Sequence, residues 1–326
     1  MAGIGVAPPH CTTISTTLGV INPCGRTSGI AYSPDGQLVA TATNTPQPNV
    51  HVFRLSDGAL LEDLPGHGDT YGSYSVAFSP DGTILATAGG AQGCGGVDLS
   101  VNDPTVVKLW DVSTGALLRQ IPAACGGYAD AAEFSHDGTR LVTGGAVGSV
   151  QIWNVADGSL VASISTGYTT YNARFSPDDT RIVNAGLGQG GVSSATDGSA
   201  IFPIPGLEYE MNDAAYSPDG SLIVTTGDGL KLQFFDARGS LLQSFVAHDV
   251  NYMSHVAWVD NVHVVSDDWG GNVKSWTRDA TGTFVASGVW SLGSQTLGMS
   301  VSPDKKRLAI GMDTGFVFIP YQPSDP

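Results

Sequence analysis

The chain has 326 residues, of which 41% are hydrophobic and 13% charged, so it is long enough to bury a large core. It carries 14 Lys and Arg against 30 Asp and Glu, a net charge of −16, and no basic run that would neutralise phosphates, which excludes nucleic acid and anionic membrane surfaces as favoured partners. No stretch approaches 18 consecutive apolar residues, and the 43 Gly and 18 Pro are typical of a folded protein rich in turns.

A short motif recurs along the chain, in the order AYSPDG, AFSPDG, EFSHDG, RFSPDD and AYSPDG, followed by the weaker AWVDN and SVSPDK. Successive copies of its Asp are 46, 56, 41, 41, 41 and 44 residues apart, at Asp35, Asp81, Asp137, Asp178, Asp219, Asp260 and Asp304. A period near 41 residues predicts an architecture of seven repeats.

Each repeat contains four runs of β-forming residues. In the second repeat, one run ends in the SPDG turn and the others cover residues 84–88, 106–110 and 116–121. Asp-Gly and Thr-Gly pairs between the runs predict tight antiparallel hairpins. A four-stranded sheet of this size cannot bury both faces alone, so we expect an all-β, seven-bladed β-propeller that occupies residues 1–326 as a single domain.

The ring needs a strand to complete its last blade. Residues 297–320 supply three strands of the seventh repeat, and the Pro-rich tail is too short for a fourth. Residues 12–18 align with the outer strand of the first repeat, so we expect them to complete the closing blade. The second repeat is longer than the others because of a Gly-rich insertion at residues 89–104.

The repeats resemble those of the WD40 family over residues 12–320. The runs VKLWD, ending at Asp111, and VQIWN, ending at Asn154, match the end of that family's third strand, and Gly66-His67 and Ala247-His248 stand where it carries a Gly-His pair. Several repeats depart from the pattern, with Phe53-Arg54, Phe235-Asp236 and Trp276-Thr277 in place of Trp-Asp, and residues 191–195 barely resemble a third strand. SPDG turns also occur in other propeller families, and the two Trp-Asp or Trp-Asn endings favour WD40.

The resemblance implies that His248, Ser266, Asp268 and Trp276 form a structural network and that His67 is the family's loop histidine. A Ser, a His and an Asp in one blade also suggest a hydrolase triad, but the chain has no GxSxG nucleophile turn, so the structural role is favoured. The GxGxxG string at residues 186–191 joins two predicted strands and is interpreted as a turn. Asp267, Asp268 and Asn272 are weak candidates for Ca²⁺, and we expect no metal and no cofactor.

The four cysteines, Cys11, Cys24, Cys94 and Cys125, allow three disulfide connectivities, and four free thiols in a cytosolic protein are the alternative. Cys94 and Cys125 belong to loops on one face of the same blade, so this pair is favoured. Cys11 with Cys24 follows by elimination and requires the chain between them to fold back. Disulfides, few Lys and an acidic surface favour an exported protein, periplasmic or extracellular, whose signal was removed; a cytoplasmic location is the alternative.

The tyrosines concentrate in the segments that lead from one repeat to the next. Five successive blades carry one at nearly the same height, seven or eight residues before the turn Ser or its equivalent. We therefore expect a Tyr-rich rim over the central channel, formed by Tyr71, Tyr74, Tyr128, Tyr168, Tyr171, Tyr209 and Tyr252 with Met211, Met253, His255 and Trp269. Packing of each Tyr against the next blade explains the pattern equally well.

These patterns favour a non-catalytic binding scaffold that recognises a protein, a peptide or a small polar ligand through this rim. An enzyme on the same face, a hydrolase or lyase, is the alternative, with titrating groups drawn from Asp69, Asp130, Glu208, Glu210, His248, Asp249 and His255. A purely structural assembly subunit is a third possibility. We expect a monomer that does not insert into membranes.

Overall fold

The computed structural model of the chain describes residues 12–22, 24–44, 48–67, 72–89, 106–122, 129–145, 148–205, 210–227, 229–249 and 252–322. These residues form 28 β-strands, arranged as seven antiparallel sheets of four strands. The first strands of neighbouring sheets contact one another in a closed ring. The prediction of an all-β, seven-bladed propeller is therefore confirmed.

The first three blades run along the chain without crossovers. Blade 1 comprises β2 (Thr27–Tyr32), β3 (Leu38–Thr43), β4 (Val50–Arg54) and β5 (Leu60–Leu64). Blade 2 comprises β6 (Ser73–Phe78), β7 (Ile84–Gly89), β8 (Val106–Asp111) and β9 (Leu117–Pro122). Blade 3 comprises β10 (Ala129–Phe134), β11 (Arg140–Gly145), β12 (Ser149–Asn154) and β13 (Leu160–Ser165).

The next three blades repeat this order. Blade 4 comprises β14 (Thr170–Phe175), β15 (Arg181–Gly186), β16 (Gln189–Ser194) and β17 (Ala200–Ile204). Blade 5 comprises β18 (Met211–Tyr216), β19 (Leu222–Gly227), β20 (Lys231–Asp236) and β21 (Leu241–Val246). Blade 6 comprises β22 (Met253–Trp258), β23 (His263–Asp268), β24 (Asn272–Arg278) and β25 (Phe284–Ser291).

Blade 7 combines both ends of the described chain. Its strands β26 (Thr296–Val301), β27 (Arg307–Met312) and β28 (Gly315–Pro320) are completed by β1 (Ile21–Asn22), which pairs with β28. The closing strand is thus not residues 12–18. Residues 12–14 lie along blade 1 instead, where the Ile14 N–H donates to the Gly58 carbonyl at 2.8 Å.

The recurrent turn forms because its Ser and Asp replace missing backbone hydrogen bonds. In blade 1 the Ser33 hydroxyl donates to Asp35 Oδ1 at 2.6 Å, and the Leu38 N–H donates to Ser33 Oγ at 2.9 Å. Gly36 has a φ of +68°, which favours glycine at this position. The same Ser–Asp bond recurs in five other blades, at Asp81, Asp137, Asp178, Asp219 and Asp304.

The core is divided among the seven seams between blades. Each cluster of buried apolar side chains takes its members from two neighbouring sheets, so every sheet buries both faces. At the seam between blades 5 and 6, the rings of Phe234 and Phe284 stack with centroids 3.8 Å apart. Residues 186–191 form the end of β15, a two-residue turn and the start of β16, so the GxGxxG string lies in a hairpin.

Candidate functional site

One row of side chains on the innermost strands differs from blade to blade. It lies two residues before the turn Ser or its equivalent, and in five blades it holds a small residue: Ala31, Ala77, Ala215, Ala257 and Ser300. In blades 3 and 4 the same row holds Glu133 and Arg174. Two long charged side chains therefore enter the channel from one side of the ring.

Arg174 links three blades at the channel. Its Nη2 donates to Asp213 Oδ2 in blade 5 at 3.0 Å, and its Nη1 donates to the Val256 carbonyl in blade 6 at 3.1 Å. Its Nε lies 3.5 Å from Glu133 Oε2 in blade 3. A chain of polar contacts thus crosses blades 3 to 6, and we call Glu133, Arg174 and Asp213 the channel clamp.

Asp213 is a buried charge whose oxygens are fully used. It accepts hydrogen bonds from the N–H groups of Ala214 and Val256, at 2.8 and 3.0 Å, as well as from Arg174. Burial raises its pKa, and the positive charge of Arg174 offsets part of that rise. This arrangement fixes the inner strands of blades 5 and 6 relative to each other.

Glu133 titrates near neutral pH. Burial inside the channel raises its pKa to about 7, against the opposing attraction of Arg174. Water reaches 36% of its side chain, but the surrounding blades limit the hydration of the charged form. The clamp therefore contains one carboxyl group that gains or loses a proton close to neutrality.

His255 lies in blade 6 with one ring nitrogen held by a buried carboxylate. Its Nδ1 is 3.2 Å from both oxygens of Asp267, and the backbone N–H of His255 donates to Asp267 Oδ1 at 2.8 Å. Burial alone would lower the pKa of His255, but the attraction and hydrogen bond of Asp267 raise it overall. The Nε2 atom makes no hydrogen bond to a described residue, and the side chain is 29% exposed.

The rim residues fall into three groups. Tyr252 and Trp269 are exposed, by 44% and 47%, and their ring centroids lie 4.9 Å apart. The Tyr171 hydroxyl donates to Glu210 Oε1 at 3.3 Å, and Tyr74 is half-buried. Tyr71, Tyr128 and Tyr209, together with Asp69 and Glu208, lie outside the described residues.

Two predicted rim residues pack into the blades. Met211 is fully buried and belongs to the core cluster between blades 4 and 5, and Met253 is buried in the next cluster, so neither is available at the rim. Tyr168 is half-buried, and its hydroxyl accepts a hydrogen bond from Asn184 Nδ2 at 2.9 Å. Burial raises the pKa of Tyr168, which agrees with a side chain that packs against its blade rather than one exposed at the rim.

His248, Ser266, Asp268 and Trp276 form one hydrogen-bonded network in blade 6. His248 Nδ1 lies 2.8 Å from Asp268 Oδ2 and Nε2 lies 2.9 Å from Ser266 Oγ, which also accepts from Trp276 Nε1 at 2.9 Å. The first three have the connectivity of a hydrolase triad. Ser266 is nevertheless fully buried and engaged by Trp276, so no substrate carbonyl can reach its oxygen.

Blade 2 contains a shorter version of this network. His67 Nε2 lies 3.0 Å from Thr87 Oγ1, which accepts from Trp110 Nε1 at 3.0 Å. Gly89 stands where blade 6 carries Asp268, and His67 Nδ1 is buried without a partner among the described residues. Burial and the nearby positive charge of Lys108 lower the pKa of His67 to about 3, so this imidazole is neutral.

The Ca²⁺ candidates do not converge on one point. Asp267 faces His255, whereas Asp268 faces His248 and accepts from the Asn272 N–H at 3.0 Å. Among the described residues, no group of three His, Cys, Asp or Glu side chains is arranged to hold a metal. Protein donors occupy these carboxylates instead.

The channel clamp was not predicted from the sequence. Glu133, Arg174 and Asp213 lie in β-runs that look like ordinary inner strands, and no motif marks them. The usable signal was the alignment of the seven repeats, where Glu133 and Arg174 replace small residues at a position that faces the channel. Asp213 carries the weaker signal of a carboxylate within a buried inner strand.

Cys24 is buried in the core cluster between blades 7 and 1. Cys11, Cys94 and Cys125 lie outside the described residues, as does the insertion beyond Gly89, so both disulfide pairings stay predictions. Within the described ranges, no helix is long and apolar enough to cross a membrane.

A comparison with protein families finds a match in the first third of the chain. Residues 58–95 match the family model of the WD domain, G-beta repeat. The matched segment runs from the outer turn of blade 1 through the first two strands of blade 2 and includes His67 and Thr87. The chain is therefore a seven-bladed β-propeller in which residues 58–95 are similar to a WD40 repeat.

Proposed function

We propose that the protein is a non-catalytic interaction scaffold that recognises a protein, a peptide or a small polar ligand at the mouth of its central channel. The exposed Tyr252–Trp269 pair carries the proposal, because two adjacent exposed aromatic rings are costly to leave in water and typical of recognition surfaces. WD40 propellers generally mediate protein interactions, which agrees with this role.

Polar groups beside the aromatic pair support directional recognition. Tyr171 and Glu210 supply a hydroxyl and a carboxylate, and His255 of the inner strand β22 has an Nε2 without a hydrogen bond to a described residue. An apolar platform with a few hydrogen-bonding groups is the composition that ligand sites share. Among the described residues, the groups that support the proposed site belong to blades 4 to 6.

Peptides selected from a random phage-displayed library against the immobilised protein test this role. We expect enrichment of peptides whose affinity falls roughly a hundredfold when Tyr252 and Trp269 are both changed to Ala, since each aromatic anchor contributes about 1–2 kcal/mol. Leu118→Ala, an exposed apolar residue on the outer strand β9, is the matched control and should leave affinity unchanged. Failure to enrich any peptide, or equal loss in the control, would contradict the proposal.

His255 favours one second candidate, a hydrolase or lyase on the same face. A ring nitrogen held by a buried carboxylate, with the other nitrogen free, is the geometry of a general base. If His255 acts as a general base, we expect the protein to hydrolyse p-nitrophenyl acetate faster than free imidazole does. This activity should be lost in His255→Gln and kept in Tyr252→Ala. Background rates in the wild-type protein would remove it.

We also propose that the protein is exported and that its cysteines pair as Cys94–Cys125 and Cys11–Cys24. The low Lys content and acidic surface support this location. Peptide mass mapping without reduction should recover both cross-linked pairs, and free thiols at all four positions would contradict it.

A further inference from the structure

On the turn face, opposite the channel mouth, one packing rule holds at the seams between blades 1 and 2, 2 and 3, and 4 and 5. The outer turn of a blade joins its third and fourth strands and contains a glycine. The side chain four residues after this glycine lies over the corresponding glycine of the next blade. A Cβ on Gly115 would come within 2.3 Å of Glu62 Oε2, and a Cβ on Gly239 within 2.6 Å of the Phe202 ring. Each such side chain fills the space at its seam. At the seam between blades 3 and 4, the backbone of Ser163 and the side chain of Ile164 cover Gly198 instead.

The seam between blades 5 and 6 breaks this rule. The residue in the filling position is Gln243, but its amide does not cover the glycine. Gln243 Oε1 accepts from the Phe284 N–H at 2.8 Å, and Gln243 Nε2 donates to the Phe284 carbonyl at 3.0 Å. A Cβ on Gly282 would meet only Arg278 of its own turn.

The space left open is a cavity of about 290 Å³. Its floor is apolar and consists of Leu222 with the stacked rings of Phe234 and Phe284, all buried, and Leu242 borders it. This volume is at the small end of the range for ligand pockets, so it suits a small molecule.

Among the described residues, Arg278 is the one charged side chain that lines the cavity. Its Nε donates to the Gly282 carbonyl at 3.3 Å, and its two terminal nitrogens make no hydrogen bond to a described residue. Gln243 is already satisfied, and the Thr281 hydroxyl donates within its own turn. The free guanidinium fork matches a carboxylate, which accepts two parallel hydrogen bonds from it.

We infer that this cavity, the seam pocket, binds a small organic carboxylate with an apolar body. The body lies on Leu222, Phe234 and Phe284, and the carboxylate pairs with Arg278. The site is independent of the channel mouth and lies on the opposite face of the ring.

Calorimetric titration with benzoate tests the seam pocket, with benzamide as the neutral analogue of the same shape. We expect saturable binding of one benzoate per chain and at least roughly tenfold weaker binding of benzamide. Arg278→Gln should weaken benzoate to the level of benzamide. Arg238→Gln, in the turn of blade 5 whose seam Phe202 fills, is the matched control and should bind as the wild type does.

A second variant tests the location without removing charge. Gln243→Phe places at this seam the filler that Phe202 provides at the preceding one, so it should abolish benzoate binding while circular dichroism shows the wild-type fold. Absence of saturable benzoate binding, equal binding of benzamide, or full affinity in either Arg278→Gln or a folded Gln243→Phe would each overturn the inference.

Discussion

At the scale of single residues, one position on the second strand carries a hydroxyl in five of the seven blades and decides how a buried aromatic residue is held. In blades 2, 3 and 6, Thr87, Thr143 and Ser266 accept the indole N–H of Trp110, Trp153 and Trp276 at 2.9 to 3.0 Å. In blades 1 and 5 the aromatic residue is Phe53 or Phe235, and the facing hydroxyls of Thr41 and Thr225 are buried without a partner among the described residues. The hydroxyl at this position therefore has a hydrogen-bond partner where the facing aromatic residue is Trp, and none among the described residues where it is Phe.

This contrast predicts opposite effects for the same substitution. Thr143→Val should lower the free energy of unfolding by about 1–3 kcal/mol, because the buried indole N–H of Trp153 loses its acceptor. Thr225→Val removes a hydroxyl that has no partner, so it should be neutral or stabilising. Urea denaturation of the two variants provides the test, and an equal loss in both would refute the explanation.

His67 makes stability depend on pH. Its pKa is about 3 in the folded protein and near 6.5 in the unfolded chain, so below pH 6.5 the unfolded state binds a proton that the folded state refuses. The contribution of neutral His67 to the free energy of unfolding is fully present above pH 6.5. It is lost as pH falls towards 3, by up to about 1.4 kcal/mol per pH unit. His67→Gln should flatten unfolding free energy measured between pH 6.5 and 4, and an unchanged slope would contradict this assignment.

At the scale of strands, the sequence predicts the regular elements well and the chain ends less well. The SPDG turns, with their Ser–Asp bonds and positive φ, locate the first two strands of most blades, and even the poorly patterned third strand of blade 4 forms as Gln189–Ser194. The N-terminal segment was misplaced because residues 12–18 match an outer strand in composition, whereas closure needs only the short β1. The position of an N-terminal segment depends on which strand it pairs with, and the composition of the segment alone does not determine that strand.

Two truncations separate these N-terminal contributions. Removal of residues 1–11, measured under reducing conditions, is the reference, because it keeps every described contact of the N-terminal segment. Removal of residues 1–22 uncovers the edge of β28, including the buried Phe316 and Val317, and removes Ile14 from the core, so we expect a markedly lower and broader transition. A calorimetric scan compares them, and equal melting would contradict closure by β1.

At the scale of the whole molecule, the seven repeats predict the ring but not its asymmetry. Repetition averages over blades, whereas the channel clamp depends on single departures, Glu133 and Arg174, at one position of the inner strand. The network of His248 could be anticipated from resemblance because its residue types recur in a family. The seam pocket could not, because it forms where the Gln243 amide bonds to the backbone of Phe284 instead of filling the seam.

The channel clamp should stabilise the ring through its central ion pair. Arg174→Gln leaves Asp213 as a buried carboxylate without its cation, so we expect a loss of about 3 kcal/mol in unfolding free energy. Adding Asp213→Asn to that variant should recover part of the loss, because the uncompensated charge is removed. Arg119→Gln, at an outer seam, is the control with a smaller effect. Additive losses in the double variant would show that the two residues are not coupled.

The most direct test of the interaction role is hydrogen–deuterium exchange mass spectrometry of the protein with its tightest selected peptide. The proposal predicts protection of the segments around Tyr171, Glu210, Tyr252 and Trp269, which belong to the proposed site at the channel mouth in blades 4 to 6. Protection confined to the SPDG turns or to the outer strands, with these segments unchanged, would contradict it.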